Sequence, residues 1–321
     1  MTHFGPPLGY AIIASILQVA LIVLGGPLLM GLMAKVRARA EGRVGAPIHQ
    51  PLRDLRKLMG KEGLRAHHSS VVLAVAPLIV LGSTALAVAI SPLVTTHPLL
   101  SASADLFVIV YLLLTGSVTM ALAGLDTGTA FGGMGSSRAI TVGALAEPAL
   151  LVAVIALSIQ ARTSNLPAIV ADTINHPVWT STPTRILALV ALVIVVIAET
   201  GRLPVDNPNT HLELTMIHEA MTLEYAGSDL GLVTLGAAMR LGLLFALVMN
   251  LFVPWGVATG RSIPWLLAAV VFLALKTSLL AVVVSLIEVH SAKLRLFRVP
   301  ELLAGGFVLA VLAVITQLAT R

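Results

Sequence analysis

Nine side chains have the types and placement needed to take up and pass on protons: Glu147, Glu199, Asp206, Glu213, His218, Glu219, Glu224, Arg240 and Lys276. The stretch from Glu199 to Gly227 holds five of the 15 acidic residues, with His211 and His218 among them, and lies between two long apolar runs. Carboxylates clustered in a low dielectric oppose one another's ionisation, so they can gain and lose protons near neutral pH, as a relay requires. Glu147 stands immediately before Pro148 inside a further apolar run. A carboxylate at membrane depth is costly and faces the bundle interior. It is either a proton-carrying site or a pairing partner that holds Arg240 or Lys276 in place.

Other chemistry is poorly supplied. His218-Glu219 begins like a zinc-protease motif, but Thr222 stands where the second His is needed, so no zinc site is expected. There is no cysteine, so the chain brings no thiolate to an iron–sulfur cluster or a Cys-type zinc site. The glycine-rich run from Phe131 to Arg138 lacks the Gly-Lys-Ser/Thr ending of a phosphate-binding loop.

The elements that position these residues are apolar. The 321 residues are 57% hydrophobic and 11% charged, with mean hydropathy +0.98. Soluble domains carry about 25% charged residues. The fold class is therefore an all-α integral membrane protein, read as a single polytopic domain over 1–321. Eight apolar runs reach the roughly 17–25 residues that a ~30 Å hydrocarbon core requires: about 8–34, 71–94, 105–125, 142–161, 181–199, 230–253, 264–287 and 302–319. In the fifth, 13 uncharged residues separate Arg185 from Glu199, which sets Glu199 at or within the rim of the hydrocarbon. The first run has no Lys or Arg before it and nine soon after it. That is the reverse of a secretory signal, so it reads as a retained span.

Fourteen of the 20 Lys and Arg residues fall in 35–70, 126–141, 200–229 and 288–301, against four in the opposite loops and terminus. The positive-inside bias makes these four segments cytoplasmic loops and puts both termini outside. Within the first, Pro51 to Glu62 fits a short amphipathic helix that Gly63 could stop. It would lie on anionic lipid or dock a cytoplasmic partner. In the third, Thr210 and Glu213 form a capping box, so a helix is expected from there to Gly227. This gives Glu213 a structural reading beside the chemical one. Glu288, closing the seventh run, reads as a solvated rim residue.

The stretch ETGRLPVDNPNTHLELTMIHEAMTLEY, Glu199 to Tyr225, resembles the signature of the membrane subunit of group 4 NiFe hydrogenases of the formate hydrogenlyase and hydrogenase-4 type. That subunit is similar in turn to subunit 1 of respiratory complex I. The resemblance extends through GRVGAP (42–47), QPLRDL (50–55), FGGMGSSR (131–138), AEP (146–148) and AKLRLFRVPE (292–301). One departure is Ala139, where the family commonly has an acidic residue.

The resemblance implies a complex I subunit 1-like fold in the inner membrane of a prokaryote. It implies a subunit that anchors a cytoplasmic redox arm and starts an ion path. The partners would be hydrogenase large and small subunits, a ferredoxin-like iron–sulfur subunit, antiporter-like membrane subunits and lipid, with no nucleic acid. The NiFe centre and clusters would sit on those partners, with no cofactor on this chain and no catalytic residue. The arm would dock on Arg43, Gln50, Asp54, Lys57, Lys61, Arg138, Arg202, Arg295 and Arg298. The electron partner in this family would be protons, which argues against a working quinone site. Two other readings are a quinone-binding subunit of a complex I-type NADH dehydrogenase, needing a cavity between the first, sixth and seventh spans, and an independent secondary transporter, which would favour an internal repeat that the sequence does not show.

Overall fold

In lipid, every backbone N–H and C=O needs a partner within the protein, and long apolar runs meet that demand as helices. The computed structural model describes residues 8–66, 69–176, 182–206, 216–260 and 262–320. In chain order its helices are α1 (Leu8–Ala40), α2 (Gln50–Met59), α3 (Val71–Ile90), α4 (Leu106–Asp126), α5 (Ala130–Ala161), α6 (Leu166–Asn175), α7 (Pro183–Glu199), α8 (His218–Thr222), α9 (Gly227–Phe252), α10 (Ile263–His290) and α11 (Val299–Ala319). Seven of them are long and apolar enough to cross a membrane. α7, with 17 residues, is about 25 Å long and falls short of a ~30 Å core. The expected eight spans are thus seven full ones and a short member packed against α5 and α11.

Local signals set where the helices begin. Ser70, Asp105, Thr129, Asn165 and Ser262 each accept a backbone N–H of the first turn they cap. α5 packs against α4, α7 and α11, and α9 packs against α1 and α3. α10 lies on α1 and turns Leu267, Val271, Leu275 and Leu279, four residues apart, away from the bundle. Such a stripe suits a lipid or protein neighbour rather than water. The described residues 41–49, 60–66, 69–70, 200–206, 216–226 and 291–298 share one end of the bundle, here called the basic end. The opposite end is the far end.

Several expectations need correction. The glycine-rich run 131–138, expected within a loop, forms the first turns of α5. Thr129 caps that helix, and the glycines serve close packing: a Cβ on Gly135 would lie 2.8 Å from Cβ of Ala220 and 3.0 Å from the Ile217 carbonyl. α1 runs on to Ala40, so Lys35, Arg37 and Arg39 are helical rather than loop residues. α2 ends at Met59 on Gly60, short of the expected Glu62, and Gly63 instead lies against Ser228 and Asp229. The capping box of Thr210 and Glu213 lies outside the described residues, as does His211. Between Met216 and Ala226 only His218–Thr222 is helical, and Gly227 starts α9 rather than stopping a helix. Its φ of +56° suits a residue without Cβ, and a Cβ there would run into the Glu62 carbonyl.

Gly135→Val is expected to force α5 off α8 and to lower the stability of the folded chain by about 1–3 kcal/mol. Gly133→Ala, where nothing lies within 4 Å of the added carbon, should be neutral or slightly stabilising. Thermal unfolding of both variants in the same detergent checks the contrast.

Candidate functional site

Asp206 organises the basic end. Two percent exposed, it accepts the backbone N–H groups of Ile217 and His218 through one carboxylate oxygen, each at 3.2 Å. The same oxygen lies 3.6 Å from Nδ1 of His218, and the other oxygen lies 3.7 Å from Nζ of Lys293. The turn after α7 is thereby tied to the start of α8 and to the connection before α11. Glu219 follows on α8 and accepts the Thr222 hydroxyl at 3.0 Å.

These residues close one end of a cavity of about 590 Å³, walled by α1, α3, α4, α5, α7, α8 and α9. Further into the bundle the wall carries Glu147 from α5, Glu199 from the last turn of α7, and Arg240 from α9. Glu199 and Arg240 form a close ion pair. Arg240 also donates to the Ser117 hydroxyl at 2.7 Å and to the Leu113 carbonyl at 3.2 Å, both on α4. Pairing makes a charge tenable at this depth. Of the two carboxylates deep in the wall, Glu199 is therefore committed to a cation. Glu147 has the remaining, half-buried carboxylate and makes no ion pair with Arg240 or Lys276. Ala139 also faces the cavity.

Two of the nine expected proton-handling residues stand elsewhere, and a third is not among the described residues. Lys276 donates to Oδ1 of Asn250 at 2.8 Å and to the Val253 carbonyl at 3.0 Å, away from the cavity wall. Glu224 accepts the Thr129 hydroxyl and braces the α4–α5 turn. Glu213 lies outside the described residues. The other six (Glu147, Glu199, Asp206, His218, Glu219 and Arg240) share the cavity wall.

A second buried charge group is not legible in the sequence. Glu288, expected at a solvated rim, is 1% exposed and lies between Arg37 of α1 and Arg202, at 3.4 Å and 3.8 Å. Arg37 and Arg202 both reach the cavity wall. Burial pushes the Arg202 guanidinium below the ordinary arginine range, against the opposing charge of Glu288. Arg202 is therefore an internal cation rather than the docking residue expected of it. The only signal that could have grouped them is one of level: Arg37, Arg202 and Glu288 all fall where a span leaves the hydrocarbon.

The remaining docking candidates lie at the surface or brace it. Arg43 is exposed and pairs with Glu41. Gln50 donates to Asp54 at 2.9 Å along α2. Lys57, Lys61, Arg295 and Arg298 are exposed. Arg138 is partly buried and donates to the Met216 carbonyl at 3.1 Å, joining α5 to the segment before α8. Arg65, also exposed, bonds Asp229 at 2.8 Å, and that bond raises its affinity for its proton. Among the described residues no group of three His, Asp or Glu side chains is arranged to hold a metal ion.

The family model described as NADH dehydrogenase matches residues 12–319. Hydrogenase-4 component C of Escherichia coli is 32% identical over 306 residues, 95% of each chain. Formate hydrogenlyase subunit 4 of the same organism is 31% identical over 310 residues, 96% of this chain and 99% of its own. A chain from the membrane-bound sulfane sulfur reductase, an archaeal respiratory membrane complex, superposes with a TM-score of 0.83 at 22% identity, over 96% of this chain and 99% of that one.

Glu288→Gln should destabilise the chain by about 3–5 kcal/mol, because it leaves the buried Arg202 and the half-buried Arg37 without the carboxylate they share. Glu301→Gln, at an exposed site, should stay within about 0.5 kcal/mol of the native chain. A thermal melt that separates the two variants checks this.

Proposed function

The chain belongs to the NADH dehydrogenase family, and from that premise we propose that it is the membrane-anchoring and proton-coupling subunit of a membrane-bound NiFe hydrogenase complex of the formate hydrogenlyase type. Two relatives above 30% identity, matched along nearly their whole length, carry the names of such hydrogenase components. The observation that carries the coupling role is the cavity itself. It runs from a polar rim at the basic end to Glu147 and the Glu199–Arg240 pair in the bundle.

In this reading the basic end faces the cytoplasm and both termini face outward, in the inner membrane of a prokaryote. The exposed Lys57, Lys61, Arg295 and Arg298, with Arg43, Gln50, Asp54 and Arg138 around them, receive the hydrophilic arm. The arm consists of the hydrogenase large and small subunits and a ferredoxin-like iron–sulfur subunit, which hold the NiFe centre and the clusters. Antiporter-like membrane subunits and lipid border the spans. This chain's own work is to hold the arm and offer proton sites. His218, Glu219 and Asp206 meet the aqueous rim, and Glu147 is the carboxylate not committed to a cation. Glu199 with Arg240 sets the charge that Glu147 feels. A change of charge at the rim, driven by the arm, shifts the balance at the pair by Coulomb interaction across the low-dielectric wall.

A quinone-reducing role has weaker support. It called for a cavity between α1, α9 and α10, and no α10 residue contributes to the wall observed. An independent transporter is disfavoured by the full-length match to named complex components.

Glu147→Gln should abolish hydrogenase-driven acidification in inverted vesicles, down to the level seen with an uncoupler. Dye-linked hydrogen chemistry should persist, and Glu147→Asp should retain part of the acidification. Full acidification in Glu147→Gln would remove that residue from the path. For docking, Lys57→Glu combined with Lys61→Glu should make retention of the hydrophilic subunits more salt-sensitive. Subunit stoichiometry after gel filtration at rising salt reads this directly.

A further inference from the structure

The far half of the bundle holds two cations that the cavity does not use, one buried and one half-buried. Arg185, 1% exposed at the start of α7, donates to Gln160 Oε1 at 2.9 Å, to the Leu251 carbonyl at 3.0 Å and to the Thr173 hydroxyl at 2.6 Å. Lys276 donates to Asn250 and to the Val253 carbonyl, while Asn250 donates to the Pro92 and Leu93 carbonyls. Among the described residues neither cation is ion-paired. Both are held by neutral oxygens, and both reach carbonyls at the end of α9. Helix-end carbonyls need donors. The half charge of a helix end and the charge of Asp172, which acts on Arg185 through space, offset these two positive charges only in part.

Between Arg185 and the cavity lies a void of about 30 Å³. Its wall is leucine, isoleucine and valine, with Leu113 and Val196 toward the Glu199–Arg240 pair and Leu251 toward Arg185. An apolar space of about one water's volume, without polar partners, stays dry. A chain of waters from Glu147 or Glu199 toward the far end is broken there, and a cation that passed it would meet Arg185.

We propose that Arg185, behind this dry void, together with Lys276 at the end of α9, forms an electrostatic seal that keeps protons and other cations in the cavity from crossing this chain to the far side. A fixed buried positive charge is a recognised way to exclude cations from a pore. An ion entering from the basic end then has only a sideways exit through the bundle. The seal rests on the reading of the cavity as an ion entry, and its test is made at rest, without turnover.

Gln160 separates charge from stapling. Gln160→Glu keeps the oxygen that Arg185 bonds and strengthens that bond, but cancels the charge. The assembled complex, carrying all its subunits, is reconstituted in liposomes with a trapped pH dye, and a potassium diffusion potential is applied without substrate. Gln160→Glu with Lys276→Gln should raise the passive proton leak at least about tenfold, the scale of rate effect that a local charge field exerts on an ion. Gln160→Glu alone should fall between that and the native complex, and Lys276→Arg should stay tight. Should the double variant not assemble, the single Gln160→Glu carries the test. A Gln160→Glu complex as tight as the native one overturns the seal and reduces Arg185 to a helix staple. If Glu147→Gln still uncouples in that case, the entry reading stands without the seal.

Discussion

A charge placed in hydrocarbon must be answered by another part of the protein, and the structure is arranged around that demand at Arg240. Its guanidinium joins three helices: α9, which carries it, α4, through Ser117 and Leu113, and α7, through Glu199. α7 is too short to cross a full core, and its last residue is the carboxylate that meets Arg240. The chain turns back there, through Gly201 and Arg202, and the polar wall of the cavity begins. Without the pair, α7 would end on an unanswered carboxylate at membrane depth.

Charge is layered along the bundle. At the basic end, Asp206 gathers Ile217, His218 and Lys293, while Glu288 sits between Arg37 and Arg202. At mid-depth stand Glu147 and the Glu199–Arg240 pair. At the far end Arg185 and Lys276 have only neutral acceptors. Carboxylates face the cavity from the basic end to its middle, and beyond a dry gap the one fully buried charge among the described residues, Arg185, is positive. Such an order favours cations on one side of the gap and opposes them on the other. That asymmetry is what a subunit needs if it takes up ions at one surface without leaking them to the other.

The legible part of the site is its depth. Counting residues puts Glu147, Glu199 and Arg240 within or at the ends of spans, and they stand there. Asp206, His218 and Glu219 count out to the rim and are found there. What counting does not supply is direction around each helix. Lys276 counts to mid-helix like Arg240, but its amino group reaches Asn250 and the Val253 carbonyl toward the far end. Glu288 reads as a rim residue because its partners, Arg37 and Arg202, are remote in sequence. The glycine-rich run reads as loop because glycine weakens an isolated helix. Packing against α8 outweighs that weakness, since only small residues let Ala220 and the Ile217 carbonyl come so close.

The sequence by itself determined the helical class, the approximate number and position of the apolar segments, the basic bias of one end and the level of nearly every buried charge. It could do so because a helix advances a constant distance per residue and a bilayer has a set thickness. The tertiary structure alone decided which charges share a space: six of the nine suspected residues in one cavity, Glu288 locked between two arginines, and Arg185 and Lys276 left facing neutral oxygens. Those outcomes depend on how each helix is rotated against its neighbours. In lipid that rotation is set by close packing and hydrogen bonds between helices rather than by any one helix's own pattern.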